Sequence, residues 1–221
     1  VASTLAFGSV DLILRACRQA LEPLGSSPRE SLLAMSESDI AEAWSGFQYR
    51  YCFPKDLMGL MRAARRAILE AGSLEAFFAA GDAGGETVVG AAGSFAHRLK
   101  ELSQGAGGRL RDNLLPEPAK GSACKRLFLY LRWMVRHDAV DPGGWTSVSP
   151  GRLVVPMDTH MARTCSGRLG FLPSPRADLK AALAVTACFR LYSPDDPVKY
   201  DFALTRPGID PEPGDERFAC L

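Results

Sequence analysis

The chain has 221 residues, 47% apolar and 23% charged, with a formal net charge of +1, the balance of an ordinary globular protein of one domain or two tightly joined lobes. No apolar run approaches membrane-spanning length, which excludes a transmembrane helix. The six scattered cysteines contain no C-x-x-C pair, which excludes zinc ribbons and closely spaced iron–sulfur ligands.

Four of those cysteines fall in apolar helical patterns and read as reduced core residues, so a cytoplasmic protein is expected. The chain opens on Val1 rather than methionine, and the natural N-terminus is expected upstream of it. Charge is unevenly spread. Between Arg98 and Arg136 nine Lys/Arg face only Glu101, Asp112 and Glu117, a local +6. Such a run is either a polyanion footprint or a solvated helix face.

In chain order, Val10, Ile13, Leu14, Cys17 and Leu21 mark an amphipathic helix ending near Gly25 and Pro28. A second helical stretch covers Ser31 to Trp44, with Ser38 and Asp39 as start signals. Phe47 to Tyr51 is a polar–aromatic connector, in which Tyr49 and Arg50 are either partner contacts or packing residues. Pro54 opens a helix carrying Leu57, Leu60, Met61 and Ile68, with Arg62, Arg65 and Arg66 on its outer side. Gly72 and Ser73 separate it from Leu74–Phe78. Val88 to Leu102 is helical, and Gly105 to Gly108 is a loop.

Leu115 to Ser122 is a tight turn, punctuated by two prolines and a glycine. Ala123 to Arg136 follows as a helix with Leu127, Leu131 and Val135 inside and Lys125, Arg132 and Arg136 on a second face. Arg152–Val155 is the only β-like run. Further helices span about Ala177–Leu191 and Pro197–Leu204, and the proline-rich tail Pro207–Asp215 is irregular. The expected fold is all-α, a single unit over 1–221 with two helical lobes, 1–114 and 115–221.

The most informative stretch is Val154-Val155-Pro156-Met157-Asp158-Thr159-His160-Met161-Ala162-Arg163. Pro156 biases Val155 toward an extended backbone and sets up a helix entrance. Asp158 or Thr159 then caps free N–H groups. Met161, Cys165 and Leu169 form the apolar stripe of the helix that follows. A carboxylate at that end is stabilised as an anion. On this stretch alone Asp158 is either a plain helix cap or a catalytic carboxylate.

Val155 to His160, followed by Ala162-Arg163 and Arg168-Leu169-Gly170-Phe171, resembles the "VPVDVH/VDTH … R … RLGL" signature of the helix-hairpin-helix DNA glycosylases. Leu115-Pro116 stands in place of that superfamily's "LPGVG" hairpin, and Tyr200–Ile209 is similar to its closing "FHxxLIxxG" helix. The hairpin glycines are replaced by Glu117-Pro118-Ala119. Lys125 to Arg132, with a second basic residue seven positions on, is similar to the archaeal 8-oxoguanine branch. The block from Lys120 to Leu204 also resembles a bacterial family of unassigned function, taken as a divergent branch of the superfamily.

The resemblance implies two helical lobes with a helix-hairpin-helix-like element and a cleft between them. It implies Asp158 as the catalytic aspartate and Lys125 as the nucleophile, with Lys120 as the alternative. Lys120, Ser122, Arg126, Arg132 and His160 are expected at the DNA. The physics is consistent: a nucleophilic lysine must shed its proton, and a helix N-terminus and neighbouring arginines disfavour an ammonium. A damaged base must leave the stack, and Phe128, Tyr130, Trp133 and Trp145 are candidates to receive it, though such aromatics are more often core. The expected function is excision of an oxidised purine, 8-oxoguanine foremost, from double-stranded DNA with abasic-site lyase activity. Neither cofactor nor metal is expected, no membrane partner, and a monomer. The competing readings are a nucleic-acid-binding module without chemistry and a glycosylase or lyase for another lesion.

Overall fold

The computed structural model describes residues 1–105 and 109–209, the last four by their backbone alone. Among the described residues there are ten α-helices and no strand, so the protein is all-α. Two compact units divide the chain: Val1–Asp82 with Ala91–Glu117, and Ala83–Gly90 with Pro118–Leu221. The division lies between Glu117 and Pro118, with one exchange. The segment Ala83–Gly90 joins the second unit because Val88 N–H donates to Arg152 O (2.9 Å), Arg152 Nε to Gly85 O (2.8 Å) and Arg190 Nη1 to Glu86 Oε1 (2.7 Å).

In the first unit α1 is Val10–Leu21, α2 Pro28–Ala34, α3 Glu37–Ala43, α4 Pro54–Ala71, α5 Leu74–Ala79 and α6 Val89–Leu102. α4 packs against α2, α3 and α5. Leu57, Met61, Ile40, Trp44, Phe77 and Phe78 are fully buried around it, each such side chain worth about 1.5–3 kcal/mol. The single helix expected over Ser31–Trp44 is two. Met35 turns extended (ψ 136°), and Ser36, not Ser38, caps α3 in a capping box with Asp39.

The arginines expected on the outside of α4 are also placed differently. Arg62 is completely buried; its Nε donates to Glu37 Oε2 (2.5 Å) and its Nη1 to Ser103 O (3.1 Å). Arg66 donates to Leu102 O and Gln104 O. These guanidiniums satisfy the last carbonyl of α6, Leu102 O, and those of Ser103 and Gln104 just beyond it, which is why they turn inward.

In the second unit α7 is Lys125–Val135, α8 Thr159–Gly167, α9 Leu179–Tyr192 and α10 Asp201–Ile209, with 3-10 turns at Pro118–Lys120 and Pro150–Arg152. α10 packs on α8. The β-like run Arg152–Val155 finds no partner strand. Leu153 to Met157 is extended and buried, and Val155 N–H is satisfied by the Thr186 hydroxyl on α9 at 3.0 Å. The last helix begins at Asp201, later than expected, because 197–200 form a turn. Of the expected irregular tail, 207–209 continue α10, and 210–215 lie outside the described residues, as do 106–108 of the Gly105–Gly108 loop and Cys220. The other five cysteines are free thiols; Cys52, Cys124 and Cys165 are buried, and burial pushes the Cys165 thiol up to about 12. No helix among the described residues is long and apolar enough to cross a membrane.

Candidate active site

The buried segment Leu153–Met157 delivers Asp158 to the N-terminus of α8 in an extended conformation. There one carboxylate oxygen, Oδ1, accepts the Met161 N–H at 2.8 Å, a helix cap. The other oxygen, Oδ2, accepts from Lys125 Nζ at 2.7 Å. Lys125 is the first residue of α7, and Cys124 before it is held in the left-handed region at φ 46°. Buried Cys124 is one of two non-glycine residues with positive φ among the described residues, and such strain survives only where the surroundings over-determine it. Here the turn before α7 is fixed by Leu179 N–H donating to Gly121 O (3.1 Å) and by the Ser122 hydroxyl accepting Cys124 N–H (3.3 Å).

Lys125 and Asp158 lie on the wall of a cavity of about 420 Å3 in the second unit, within the range of small-molecule sites, about 300–1,000 Å3. Leu129, Arg132, Trp133, Asp201 and Phe202 are among the residues that line it. Of the four aromatic candidates, Trp133 alone lines this cavity. Phe128 is core, and Trp145 is buried edge-on against Tyr130 with ring centroids 5.5 Å apart.

Arg132 was expected at the DNA, but it is 3% exposed. Its Nε donates to Asp141 Oδ2 at 3.0 Å and its Nη1 bonds Asp201 Oδ2. Arg136, also buried, bonds Asp141 and donates to both Asp196 oxygens at 3.0 Å. Arg132 therefore acts from beneath the cavity wall through Asp201. Lys120, Ser122 and His160 are exposed and Arg126 half-buried. His160 follows Asp158 closely enough for its charge to act on that carboxylate.

The basic run loses most of its charge to pairing. Arg98 pairs with Glu70, Lys100 with Asp112 and Glu117, Arg111 with Asp56, and Lys125, Arg132 and Arg136 with the acids above. It is not the continuous cationic face that the residue count suggests.

Two carboxyls of the cavity are driven apart. Burial pushes Asp158 up, but the hydrogen bonds from Lys125 and Met161 N–H and the nearby charges of Lys125 and His160 outweigh it, leaving Asp158 below the usual carboxylate range. Asp201 is pushed up to about 6 by burial, with Asp158 adding to the rise, against the opposing pull of Arg132 and Lys125. Nothing in the sequence pattern singled out Asp201; an acidic residue opening the last helix reads as an ordinary first-turn charge.

The opposite shifts act in separate pH windows. The stability that Asp158 contributes is full above the ordinary aspartate value near 3.8 and is lost as pH falls through its lower folded value. Folded Asp201 instead keeps a proton that the unfolded chain has released between 3.8 and about 6. Its contribution makes stability fall as pH rises through that window and level off above it. Urea titrations at pH 4 to 7 should show this decline in the parent and its loss in Asp201→Asn. An identical slope in both proteins would show that Asp201 ionises as it does in the unfolded chain.

No curated protein and no solved structure matches the chain. A family match covers residues 1–210, nearly the whole chain. The cavity, the Lys125–Asp158 pair and the Arg132–Asp201 pair all lie within the matched span. The chain belongs to the family described as protein of unknown function DUF2400.

Proposed function

We propose that this protein is a base-excision DNA glycosylase with abasic-site lyase activity, acting on an oxidised purine, 8-oxoguanine foremost. The observation that carries the reading is the Lys125 amine 2.7 Å from the Asp158 carboxylate on the wall of a cavity lined by Trp133. An amine beside a pocket sized for a small molecule can serve as a Schiff-base nucleophile once it has shed its proton, and the carboxylate next to it is placed to orient it. The resemblance of 155–160 and 168–171 to the glycosylase signature supports the same assignment.

In this mechanism the damaged nucleotide leaves the duplex and its base enters the cavity, against Trp133 and Phe202. As a neutral amine, its proton given up to solvent, Lys125 Nζ attacks C1′ of the sugar; the C1′–N bond breaks with its electron pair leaving on the base, which takes up the proton that the attacking nitrogen then releases. Asp158, kept ionised, stabilises the cationic sugar that develops. Ring opening, with O4′ taking up a proton, then gives an iminium between Nζ and C1′, and loss of a C2′ proton to solvent expels the 3′ phosphate. The two carboxyls divide the work as their environments suggest: Asp158 holds charge, while Asp201, near 6, is suited to exchange a proton at neutral pH. Lys120, Ser122, Arg126 and His160 are assigned to the flanking phosphates.

Borohydride trapping tests the proposal. The protein is incubated with duplexes carrying 8-oxoguanine, an abasic site or no lesion, and the imine is reduced to a stable adduct. The expected result is an adduct with the first two duplexes and none with Lys125→Gln. Trapping on the abasic duplex alone would move the assignment to a lyase or to another lesion. Salt-sensitive binding with no adduct on any duplex would remove the Schiff-base chemistry and leave a binding module.

A further inference from the structure

We infer that the tip Tyr49–Cys52 of the first unit is a separate binding site for single-stranded nucleic acid, with Tyr51 stacking on an unpaired base and Arg50 holding the adjacent phosphate. The turn is closed by two backbone hydrogen bonds, Tyr49 N–H to Cys52 O (2.9 Å) and Cys52 N–H to Tyr49 O (2.8 Å). Its first central residue, Arg50, has φ 50°, a conformation that such a turn position reserves for glycine. The side chain does not repay that strain by pairing within the fold: Arg50 is exposed and has no carboxylate partner among the described residues.

The surroundings hold the strained tip in place. The Tyr49 hydroxyl, buried with its ring, bonds Phe7 O. Gly8, at φ 108°, leaves the room this needs, since a Cβ there would stand 2.7 Å from Tyr49 Oη and 3.1 Å from Arg50 Nη1. Arg111, itself clamped by both oxygens of Asp56 at 2.6 Å, donates to Tyr51 O at 2.7 Å. The Tyr51 ring lies on Phe7 with centroids 4.2 Å apart and planes 14° apart, yet Tyr51 remains 39% exposed. Phe7 covers one face of that ring, so the exposed surface belongs to its edge and opposite face.

A rigid aromatic ring with an open side, beside a guanidinium that meets no carboxylate among the described residues, matches the stacking platform and phosphate contact of single-strand binders. Lys55, exposed at the start of α4, adds positive charge beside it, and Asp56 is already neutralised by Arg111. An apolar partner would not need the guanidinium, and an acidic protein surface would not need the open ring. The site involves neither the cavity nor Lys125, so it stands independently of the glycosylase reading.

The test is fluorescence anisotropy with a labelled oligothymidylate and a blunt duplex of the same length, neither carrying a lesion. The parent is expected to prefer the single strand. Tyr51→Ala should weaken that binding about 5–100-fold, the range that corresponds to loss of one stacked base, whereas Tyr51→Phe should keep it. Arg50→Gly should lower the slope of log K against log salt by about 0.7, one single-strand phosphate contact. It should also raise the thermal midpoint, because glycine relieves the positive φ; tighter folding with weaker binding is not what a purely structural role gives. No single-strand binding by the parent, or parent-like affinity in both Tyr51→Ala and Arg50→Gly, would overturn the proposal. Neither result depends on whether an amine can be trapped on damaged DNA.

Discussion

Asp158→Asn is expected to slow base release from an 8-oxoguanine duplex by about 10²–10⁴-fold in single-turnover assays, the scale of a lost charge-stabilising or proton-handling group. Its folded stability should stay within about 1 kcal/mol of the parent, because asparagine caps a helix about as well as aspartate. Asn retains an oxygen for the Met161 N–H but sets an amide NH2, a donor, where Oδ2 accepted from Lys125, so it removes the negative charge together with that hydrogen bond. Asp158→Ala is the companion variant. It loses the cap as well and should cost about a further 1 kcal/mol of stability, with a rate no better than that of the Asn variant. The two together separate the alternatives that the sequence left open at this position. If Asp158→Asn released base at the parent rate while Asp158→Ala was merely less stable, Asp158 would be a helix cap and nothing more.

The parts of this site that were legible in the sequence are those written in short-range pattern. Pro156 before an acidic residue, with Met161 and Cys165 following at helical spacing, is enough to place Asp158 at a helix entrance, and α8 begins at Thr159. The partnership of Lys125 with Asp158 spans 33 positions, and it was reached through the resemblance of the whole block rather than through any local signal. Helical periodicity failed where charged side chains were concerned. Arg62 is expected on the outer side of its helix, and Arg132 and Arg136 on a second face away from the apolar one, because an arginine at the edge of an apolar stripe normally snorkels to water. Each is instead buried, because carboxylates distant in sequence meet it: Glu37 for Arg62 across 25 positions, Asp196 for Arg136 across 60 and Asp201 for Arg132 across 69. A face is polar or apolar according to what packs on it, and period alone does not carry that information. The same reason hid Asp201, whose neighbours make it unusual and whose sequence position does not.

That buried network sets the largest stability effect expected in the protein. Arg132→Met should destabilise the fold by about 3–5 kcal/mol, the cost of removing one partner from a buried ion pair. Methionine fills much of the volume of the arginine stem but leaves Asp201 buried without its cation, and Asp141 with Arg136 alone. Asp141 already has one oxygen, Oδ1, that is buried with no hydrogen-bond partner, so it has little left to fall back on. The loss should be greatest above pH 6, where the uncompensated Asp201 would have to ionise, and smaller at pH 4 to 5, where it keeps its proton. Adding Asp201→Asn to Arg132→Met should restore part of the loss, since a neutral amide tolerates burial far better than an orphaned carboxylate. Guanidinium unfolding of the parent, both single variants and the double variant forms a cycle from which the coupling is read directly. A coupling near zero, or a cost below about 1 kcal/mol for Arg132→Met, would mean that the pair is a solvent-screened contact and not a buried one. A large coupling would make Arg132 the residue that fixes Asp201 in the wall of the cavity. Substitutions at Arg132 should then lower activity through loss of that position, even though its guanidinium is turned away from solvent.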